Sequence, residues 1–195
     1  MDNRLILPSG GFRKLRSFQC AQDIYDGTVV FCERFVDRKS RTRDQMIQAA
    51  RSGVQNIAEG SLASATSKKT ELKLTGVARA SLGELLLDYE DYLRQNGLRQ
   101  WPKDGPEAVK ARGLWRVAEG ARSDKSDRSD RSDRSPDRSP YRFSKLSADV
   151  LANTLICLIN QTSYLLWQQM KALERGFLTN GGFAERMYTL RKKAR

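Results

Sequence analysis

The sequence predicts an all-α protein, an up-down-up-down four-helix bundle with a long disordered insertion between its third and fourth helices. In four separate stretches, apolar residues recur at steps of three and four, which is the period of an amphipathic α-helix. Short polar links separate the first three stretches, as expected for helices that pack as antiparallel neighbours. A repeat of serine, aspartate and arginine separates the third stretch from the fourth.

The first helix is expected from about Arg16 to Val36. Residues 1–12, which precede it, are expected to be flexible, because a proline and two glycines there disfavour helix. The apolar side chains of this helix follow the helical period: Phe18, Ala21, Tyr25, Val29, Cys32 and Phe35. A polar turn then leads to Thr42, whose hydroxyl is expected to cap the second helix.

The stretch from Thr42 to Leu93 predicts two long helices that form an antiparallel hairpin. The first of the two is expected to end at Gly60, a residue type that suits the left-handed position after a helix. Thr66 or Ser67 is expected to cap the other. The apolar faces of the two helices are Met46, Ala50 and Ile57, and Leu74, Ala78, Leu82, Leu85, Tyr89 and Leu93. With the first helix, the hairpin completes a unit over residues 13–101.

Residues 102–142 are predicted to be a low-complexity insertion that is mostly disordered. The Ser-Asp-Arg repeat in it has no apolar residue before Tyr141, so it cannot bury enough surface to offset the entropy of ordering. Within the insertion, Pro106 to Glu119 is expected to form a weak helical extension that carries Trp115. The last helix is expected over residues 143–176, with an unusually apolar centre (LANTLICLI), and residues 177–195 are expected to be a basic C-terminal tail.

The charges of the third helix run against its dipole. A helix N-terminus carries partial positive charge and favours acids, whereas the C-terminus favours bases. This helix instead begins with Lys68, Lys69 and Lys73 and ends with Glu84, Asp88, Glu90 and Asp91. One interpretation is that all of these groups are simply solvated. The other is that the lysines contact an acidic partner and the acids a basic one.

Composition indicates the kind of partner. The 195 residues suggest one domain, and a net charge of +12 favours a polyanion, either nucleic acid or an anionic membrane surface. No run of about 18 apolar residues occurs, so no membrane span is expected. Of the two polyanions, nucleic acid is the predicted partner, and no membrane is expected. The start of the chain does not resemble a secretory signal. The three cysteines, an odd number in apolar stretches, indicate buried reduced thiols in a cytoplasmic protein.

Histidine is absent, which argues against much enzyme chemistry. No imidazole is present for general acid–base work or metal ligation, and no glycine-rich phosphate loop occurs. Glu84 and Asp88 could hold Mg²⁺, as a nuclease would require, but a solvated or salt-bridged helix face is the favoured interpretation. The sequence therefore assigns no catalytic residue, no metal site and no cofactor, and it predicts a protein that is not an enzyme.

Two segments resemble a known family. QAARSGVQNIAEGS at 48–61, followed by SKKTELKLTGVARASLGEL, is similar to the bacterial four-helix-bundle proteins first noticed as reading frames within 23S ribosomal RNA intervening sequences. The residues that match the family motif are Ala50, Ser52 or Gly53, Asn56, Ile57, Ala58, Glu59 and Gly60. DYEDYLRQNGLRQW and GGFAERM resemble the suffix-domain branch. The resemblance covers 13–101 and 143–190, and the insertion lies outside it.

The resemblance implies a non-enzymatic bundle that assembles into a five-membered ring. A related branch, the accessory variability protein of diversity-generating retroelements, is basic and binds both nucleic acid and a reverse transcriptase. A head-to-tail ring would place the acidic helix end of one protomer against a basic surface of the next. On this hypothesis the oligomer interface contains Glu84, Asp88, Glu90 and Asp91.

The function predicted from the sequence is therefore a pentameric nucleic-acid-binding bundle, accessory to an RNA or DNA machine such as a reverse transcriptase or ribosomal RNA. RNA is expected ahead of DNA. Binding would be electrostatic, through cations that neutralise phosphates. The candidate cations are Arg41, Arg43, Arg51, Lys68, Lys69, Lys73, Arg191, Lys192 and Lys193. The alternative is a structural adaptor that binds a protein partner without nucleic acid.

Overall fold

The computed structural model describes residues 5–6, 9–123 and 141–193, with side chains for all of these except 115–123, 180 and 193. Within these residues the protein is all-helical. The α-helices are α1 (Arg16–Phe35), α2 (Arg41–Ala63), α3 (Lys68–Gln95), α4 (Pro106–Ser123), α5 (Ala148–Asn180) and α6 (Phe183–Lys193). Single 3₁₀ turns, Phe12–Lys14 and Phe143–Lys145, lie just before α1 and α5.

Two of the expected helix boundaries at the start and end of α2 are wrong. Ser40 rather than Thr42 caps the helix, since the Ser40 hydroxyl accepts a hydrogen bond from the backbone N–H of Thr42 at 3.3 Å. The helix also continues beyond Gly60 to Ala63. A Cβ atom at Gly60 would lie 3.3 Å from the carbonyl oxygen of Glu71. The glycine therefore allows close helix packing instead of ending the helix.

The cap of α3 is Ser67, whose hydroxyl accepts a hydrogen bond from the backbone N–H of Thr70 at 3.1 Å.

At the other end of the chain, α5 does not stop at Gly176 as expected but runs on to Asn180. One glycine inside a helix costs about 1 kcal/mol, which is too little to end it. The helix ends instead at Gly181, which has a φ of 67° and donates its N–H to the carbonyl of Phe177.

The core lies between four of the helices: α1 packs against α2 and α5, and α3 packs against the same two. Within the α2–α3 hairpin, the hydroxyls of Ser52 and Ser81 lie 3.0 Å apart, and a Cβ at Gly53 would meet the Leu82 side chain at 2.9 Å. Further along α2, Gly60 packs against Glu71 near the start of α3, so residue numbers rise in α2 as they fall in α3 and the two helices run antiparallel. The largest fully buried side chains are Tyr89, Phe31, Phe143, Ile24, Met46, Ile57, Leu82, Leu85, Leu93, Leu151 and Leu155.

The expectation that residues 102–142 are mostly disordered is wrong for their first half, because α4 is a helix that packs on α5. Ala108 and Ala111 are buried against Cys157 and Trp101. Pro106 occupies the first turn, where its fixed φ favours helix and its missing N–H loses nothing. The docking contacts supply the stability that a short helix lacks alone. Residues 124–140, which hold most of the Ser-Asp-Arg repeat, lie outside the described residues.

The three cysteines are free and buried. Burial raises the pKa of the Cys32 thiol to about 12, which keeps it protonated and unreactive.

The segment Ala148–Lys192 contains a window with a mean hydropathy of 1.2, apolar enough by composition to cross a membrane, although 61% of that window is buried inside the protein. Composition alone therefore does not exclude a span. A core helix gives the same pattern, so the window is weak evidence for one.

Candidate nucleic-acid and partner surfaces

A groove of about 640 Å³ lies between the N-terminal half of α2 and the C-terminal half of α3. Its charged and polar lining consists of Arg41, Asp44, Gln45, Gln48, Ser52, Ser81, Glu84 and Asp88. Glu84 and Asp88 share one face of α3 because they are four residues apart. Three carboxylates and one guanidinium line the space, and we refer to it as the acidic groove.

Asp88 is the carboxylate whose ionisation is most disfavoured there. Its partial burial raises its pKa, and the negative charges of Asp91 and Glu84 raise it further. Within the described residues, no ion pair neutralises Asp88 or Glu84. The groove is therefore a concave surface with uncompensated negative charge, which favours a cationic partner.

The four acids predicted to form an interface do not stay together. Glu84 and Asp88 line the acidic groove, whereas Asp91 pairs with Arg94 at 2.7 Å. Glu90 accepts a hydrogen bond from the Gln100 side-chain amide at 3.1 Å. Glu90 lies on a different side of α3 from Asp88, because it is two positions further along and each position rotates the side chain by about 100°.

The lysines at the start of α3 also have different environments. Lys68 forms an ion pair with Glu71 at 2.8 Å, and the Glu71 side chain is only 10% exposed. Glu71 lies in the first turn, where the helix dipole favours an acid, so the charge reversal inferred from the sequence is partly offset. Lys69 and Lys73 are exposed and take part in no ion pair among the described residues.

The remaining predicted cations are spread over the protein. Arg41 lies in the acidic groove, and Arg43 is half-buried with its Nε buried and without a hydrogen-bond partner. Arg51 is exposed in the middle of α2. In α6, Arg191 and Lys192 are exposed, and the side chain of Lys193 lies outside the described residues.

Arg41 and Lys68 lie at opposite ends of the hairpin. With 23 residues at about 1.5 Å each, α2 alone is roughly 35 Å long. The arginines at the start of α2 and the lysines at the start of α3 therefore do not form one continuous basic patch. The structure instead brings Arg41 close to the acids Glu84 and Asp88, on the far side of the hairpin from Lys69.

The residues that carry the family resemblance have structural roles in this hairpin. The Asn56 amide donates to the Ser52 carbonyl at 2.9 Å and to its hydroxyl at 3.0 Å. The Ser52 hydroxyl in turn contacts Ser81 of α3 at 3.0 Å. Ile57 is buried in the core, and Gly60 lets α2 approach the first turn of α3. In this protein the residues of the motif therefore serve to pack α2 against α3.

A second concave surface was missed by the sequence analysis. A pocket of about 910 Å³ is lined from α4, α5, the residues just before α4 and Arg16 at the start of α1. Its lining includes Trp101, Lys103, Arg112, Cys157, Gln161 and Tyr164. We refer to it as the α4–α5 pocket. The i, i+3 spacing of Ala108 and Ala111 was the sequence signal for an ordered helix there, but the expectation of disorder concealed it.

Among the described residues, no group of three or more histidine, cysteine, aspartate or glutamate side chains is arranged to hold a metal ion. Comparison with known proteins finds no match to this chain among family models, curated proteins or solved structures.

Proposed function

We propose that the protein is a non-enzymatic, oligomeric nucleic-acid-binding helical bundle in which α1, α2, α3 and α5 form the up-down-up-down core. Contacts between neighbouring helices support this topology. Ser17 of α1 contacts Gln169 near the end of α5, whereas Gly27 faces Leu155 near its start. As residue numbers rise in α1 they fall in α5, so the two helices run in opposite directions.

The observation that carries the proposal is the segregation of charge along the hairpin. Asp44, Glu84 and Asp88 line the acidic groove, while exposed cations such as Arg51, Lys69 and Lys73 lie outside it without ion pairs in the described part of the chain. Since the chain carries a net charge of +12, the surface outside the groove is strongly positive. Such a surface attracts phosphates without reading bases.

The groove itself repels nucleic acid and suits a cationic protein surface. We infer that it accepts basic residues of a neighbouring copy, with Glu84 and Asp88 in the contact. The family resemblance makes five copies the expected number, RNA the expected ligand ahead of DNA, and a reverse transcriptase or ribosomal RNA the expected larger partner. The acidic groove also favours the adaptor function, in which its occupant is a basic segment of a different protein.

The first test measures nucleic-acid binding against salt. The logarithm of the affinity for single-stranded RNA is expected to fall linearly with the logarithm of salt concentration, with a slope of about −0.7 per phosphate contacted. Changing both Lys69→Gln and Lys73→Gln is expected to weaken binding for all sequences alike. The slope should flatten by up to about 1.4, because two phosphate contacts are lost. Fluorescence anisotropy measures both quantities.

Lys68→Gln is the matched control, because Lys68 is already paired with Glu71 in the folded protein. This change is expected to leave the salt slope nearly unchanged and to lower the free energy of unfolding by about 1 kcal/mol, since it leaves a buried carboxylate without its partner. If wild type shows no binding at low salt, the nucleic-acid proposal is wrong and the adaptor function replaces it.

The second test concerns Asp88. Because its pKa is raised in the folded protein, the stability linked to this group is full below its unfolded pKa of 3.8 and is lost as the pH rises through the folded value. Asp88→Asn is therefore expected to raise the melting temperature of the dissociated protein at pH 7 and to have little effect below pH 3.8. Thermal melts at concentrations where the wild type is monomeric measure this.

The same variant tests the interface. If the groove binds cations of a neighbouring copy, Asp88→Asn weakens assembly in sedimentation equilibrium even though it stabilises the monomer. Asp104→Asn, on the exposed turn before α4, is the control and should change neither quantity. Assembly that is unaffected by Asp88→Asn would remove the groove from the interface, and a wild type that stays monomeric at micromolar concentration would overturn the oligomer.

A further inference from the structure

The α4–α5 pocket has the size of a ligand site. Its volume of about 910 Å³ lies within the range of about 300–1,000 Å³ typical of small-molecule pockets. Its apolar floor is formed by Ala108 from α4 and by Ile156, Cys157 and Leu165 from α5. No residue lines both this pocket and the acidic groove, so the two are separate surfaces.

The charged residues of the pocket are all cationic. Arg16, Lys103 and Arg112 line it, and no aspartate or glutamate does. Burial raises the pKa of the Cys157 thiol and the Arg112 guanidinium lowers it, so Arg112 lies close to the floor. Lys103 is exposed at the rim, on the short turn before α4, without an ion pair among the described residues. This arrangement fits an anionic group, of which phosphate is the commonest in biological ligands.

Two aromatic side chains lie at the same pocket. Trp101 is held in place because its backbone N–H donates to the Asn153 side chain at 2.7 Å, and the Asn153 amide donates to the carbonyl of Arg99 at 2.9 Å. Tyr164 is 58% exposed, although it is a large apolar ring. Exposed aromatic rings beside cations are the usual platform on which nucleobases stack.

One buried polar atom has no partner in the folded chain. The side-chain oxygen Oε1 of Gln161 is inaccessible to solvent and accepts no hydrogen bond, and Gln161 lines the pocket. A buried acceptor without a donor is rare in folded proteins. Because Oε1 is closed to solvent, a ligand in the pocket reaches it only if the Gln161 side chain changes rotamer.

We propose that the α4–α5 pocket binds a single nucleotide unit, with the phosphate at Lys103 and Arg112 and the base stacked on Tyr164 and Trp101. The unit is either a free mononucleotide or one unstacked residue of a single strand. The second source rests on the proposed nucleic-acid function, whereas the first does not. A pocket of this kind favours single strands over duplexes, because a paired base cannot enter it.

The experiment titrates the full chain with AMP, adenosine, inorganic phosphate, oligo(rA) and duplex RNA by calorimetry and anisotropy. AMP is expected to bind at least about tenfold more tightly than adenosine or phosphate alone, since each of these lacks one half of the contacts. Tyr164→Ala is expected to weaken AMP and oligo(rA) binding by about 5- to 50-fold through loss of stacking. Tyr188→Ala, which removes a 69% exposed ring of α6 outside the pocket, is the control.

Lys103→Gln separates the contacts within the pocket. It is expected to weaken AMP binding while leaving adenosine binding unchanged, because adenosine has no phosphate. Oligo(rA) binding that depends on Tyr164 without any AMP binding supports the strand as the source. AMP binding that depends on Tyr164 in a chain that binds no polymer supports the mononucleotide and overturns the proposed function instead.

The inference is overturned if phosphate binds as tightly as AMP, which would make the pocket a simple anion site. It is also overturned if Tyr164→Ala changes neither AMP nor oligo(rA) binding. In that second case the proposed function can still hold. It does so if nucleic-acid binding depends on salt and is weakened by the double variant Lys69→Gln, Lys73→Gln, and the pocket then plays no part in that binding. A folded state unchanged by circular dichroism in each variant ensures that lost binding reflects a lost contact.

Discussion

Replacing Phe143 with alanine is expected to lower the free energy of unfolding by about 3–5 kcal/mol. The Phe143 ring is fully buried and stacks on Tyr141 with centroids 5.3 Å apart. It also fills the space beside Gly27 of α1, where an added Cβ would meet the ring at 3.1 Å. The ring thus joins the end of the insertion to the core. Its removal leaves a cavity that the surrounding side chains cannot completely fill.

Urea unfolding at a fixed protein concentration measures this loss. The carbonyl of Phe143, which accepts a hydrogen bond from Arg34 at 3.1 Å, is retained in the alanine variant, so the change isolates the ring. Phe177→Ala is the matched control, because that ring is 44% exposed and its loss should change stability by less than about 0.5 kcal/mol. Equal effects at the two positions would contradict the packing described for Phe143.

Leu82→Ala is expected to destabilise the protein by about 3 kcal/mol, because Leu82 is fully buried between α2 and α3. Its side chain occupies the space that a Cβ at Gly53 would enter, at 2.9 Å from Cδ2 and 3.0 Å from Cγ. Gly53→Ala alone is therefore expected to destabilise by about 1 kcal/mol through overpacking, even after its gain in helix propensity.

The two substitutions together should be less harmful than their sum. The new methyl group at position 53 partly fills the cavity left at position 82, and the clash between them disappears. We expect the double variant to be at least about 1 kcal/mol more stable than additivity predicts, by urea unfolding of all four proteins. Additive effects within about 0.5 kcal/mol would mean that α2 and α3 do not pack at this position.

The core helices were predictable because their stability comes from residues within each helix. In α1, α2, α3 and α5 the apolar side chains recur at the helical period, and that period locates each helix. The buried face of α1 was only partly predicted, because Ile24 and Phe31 are fully buried whereas Tyr25, Val29 and Phe35 are half-buried. Helix ends were less predictable. Thr42 and Gly60 had suitable chemistry for a cap and a stop, but Ser40 caps α2, and Gly60 packs on Glu71 inside the helix.

The helix α4 shows why composition misled the prediction for the insertion. The Ser-Asp-Arg repeat biased 102–142 towards disorder and Pro106 to Glu119 towards only a weak helix, although Ala108 and Ala111 belong to a helix docked on α5. A short helix of this kind is only marginally stable when isolated. It forms here because Trp101 and Cys157 cover the face that carries Ala108 and Ala111. The α4–α5 pocket exists only because of that docking, so its residues could not be identified from the sequence.

Local charge relations were open to prediction, and longer-range ones were not. The ion pair of Lys68 with Glu71 follows from their i, i+3 spacing and was overlooked. The acidic groove, by contrast, needs Asp44 from α2 beside Glu84 and Asp88 from α3, and no spacing along the chain indicates that contact. Arg41, one of the cations predicted to bind phosphate, likewise lies among carboxylates.

By itself the sequence determined that this protein is helical, basic and without histidine, and it determined which faces of the core helices are buried. Those properties depend on the identity and spacing of nearby residues. Tertiary structure alone decided that Asp44 of α2 shares a groove with Glu84 and Asp88 of α3, and that Lys103, Arg112, Gln161 and Tyr164 line one pocket. Such surfaces combine residues far apart in the chain, and only the packing of whole helices brings them within contact distance.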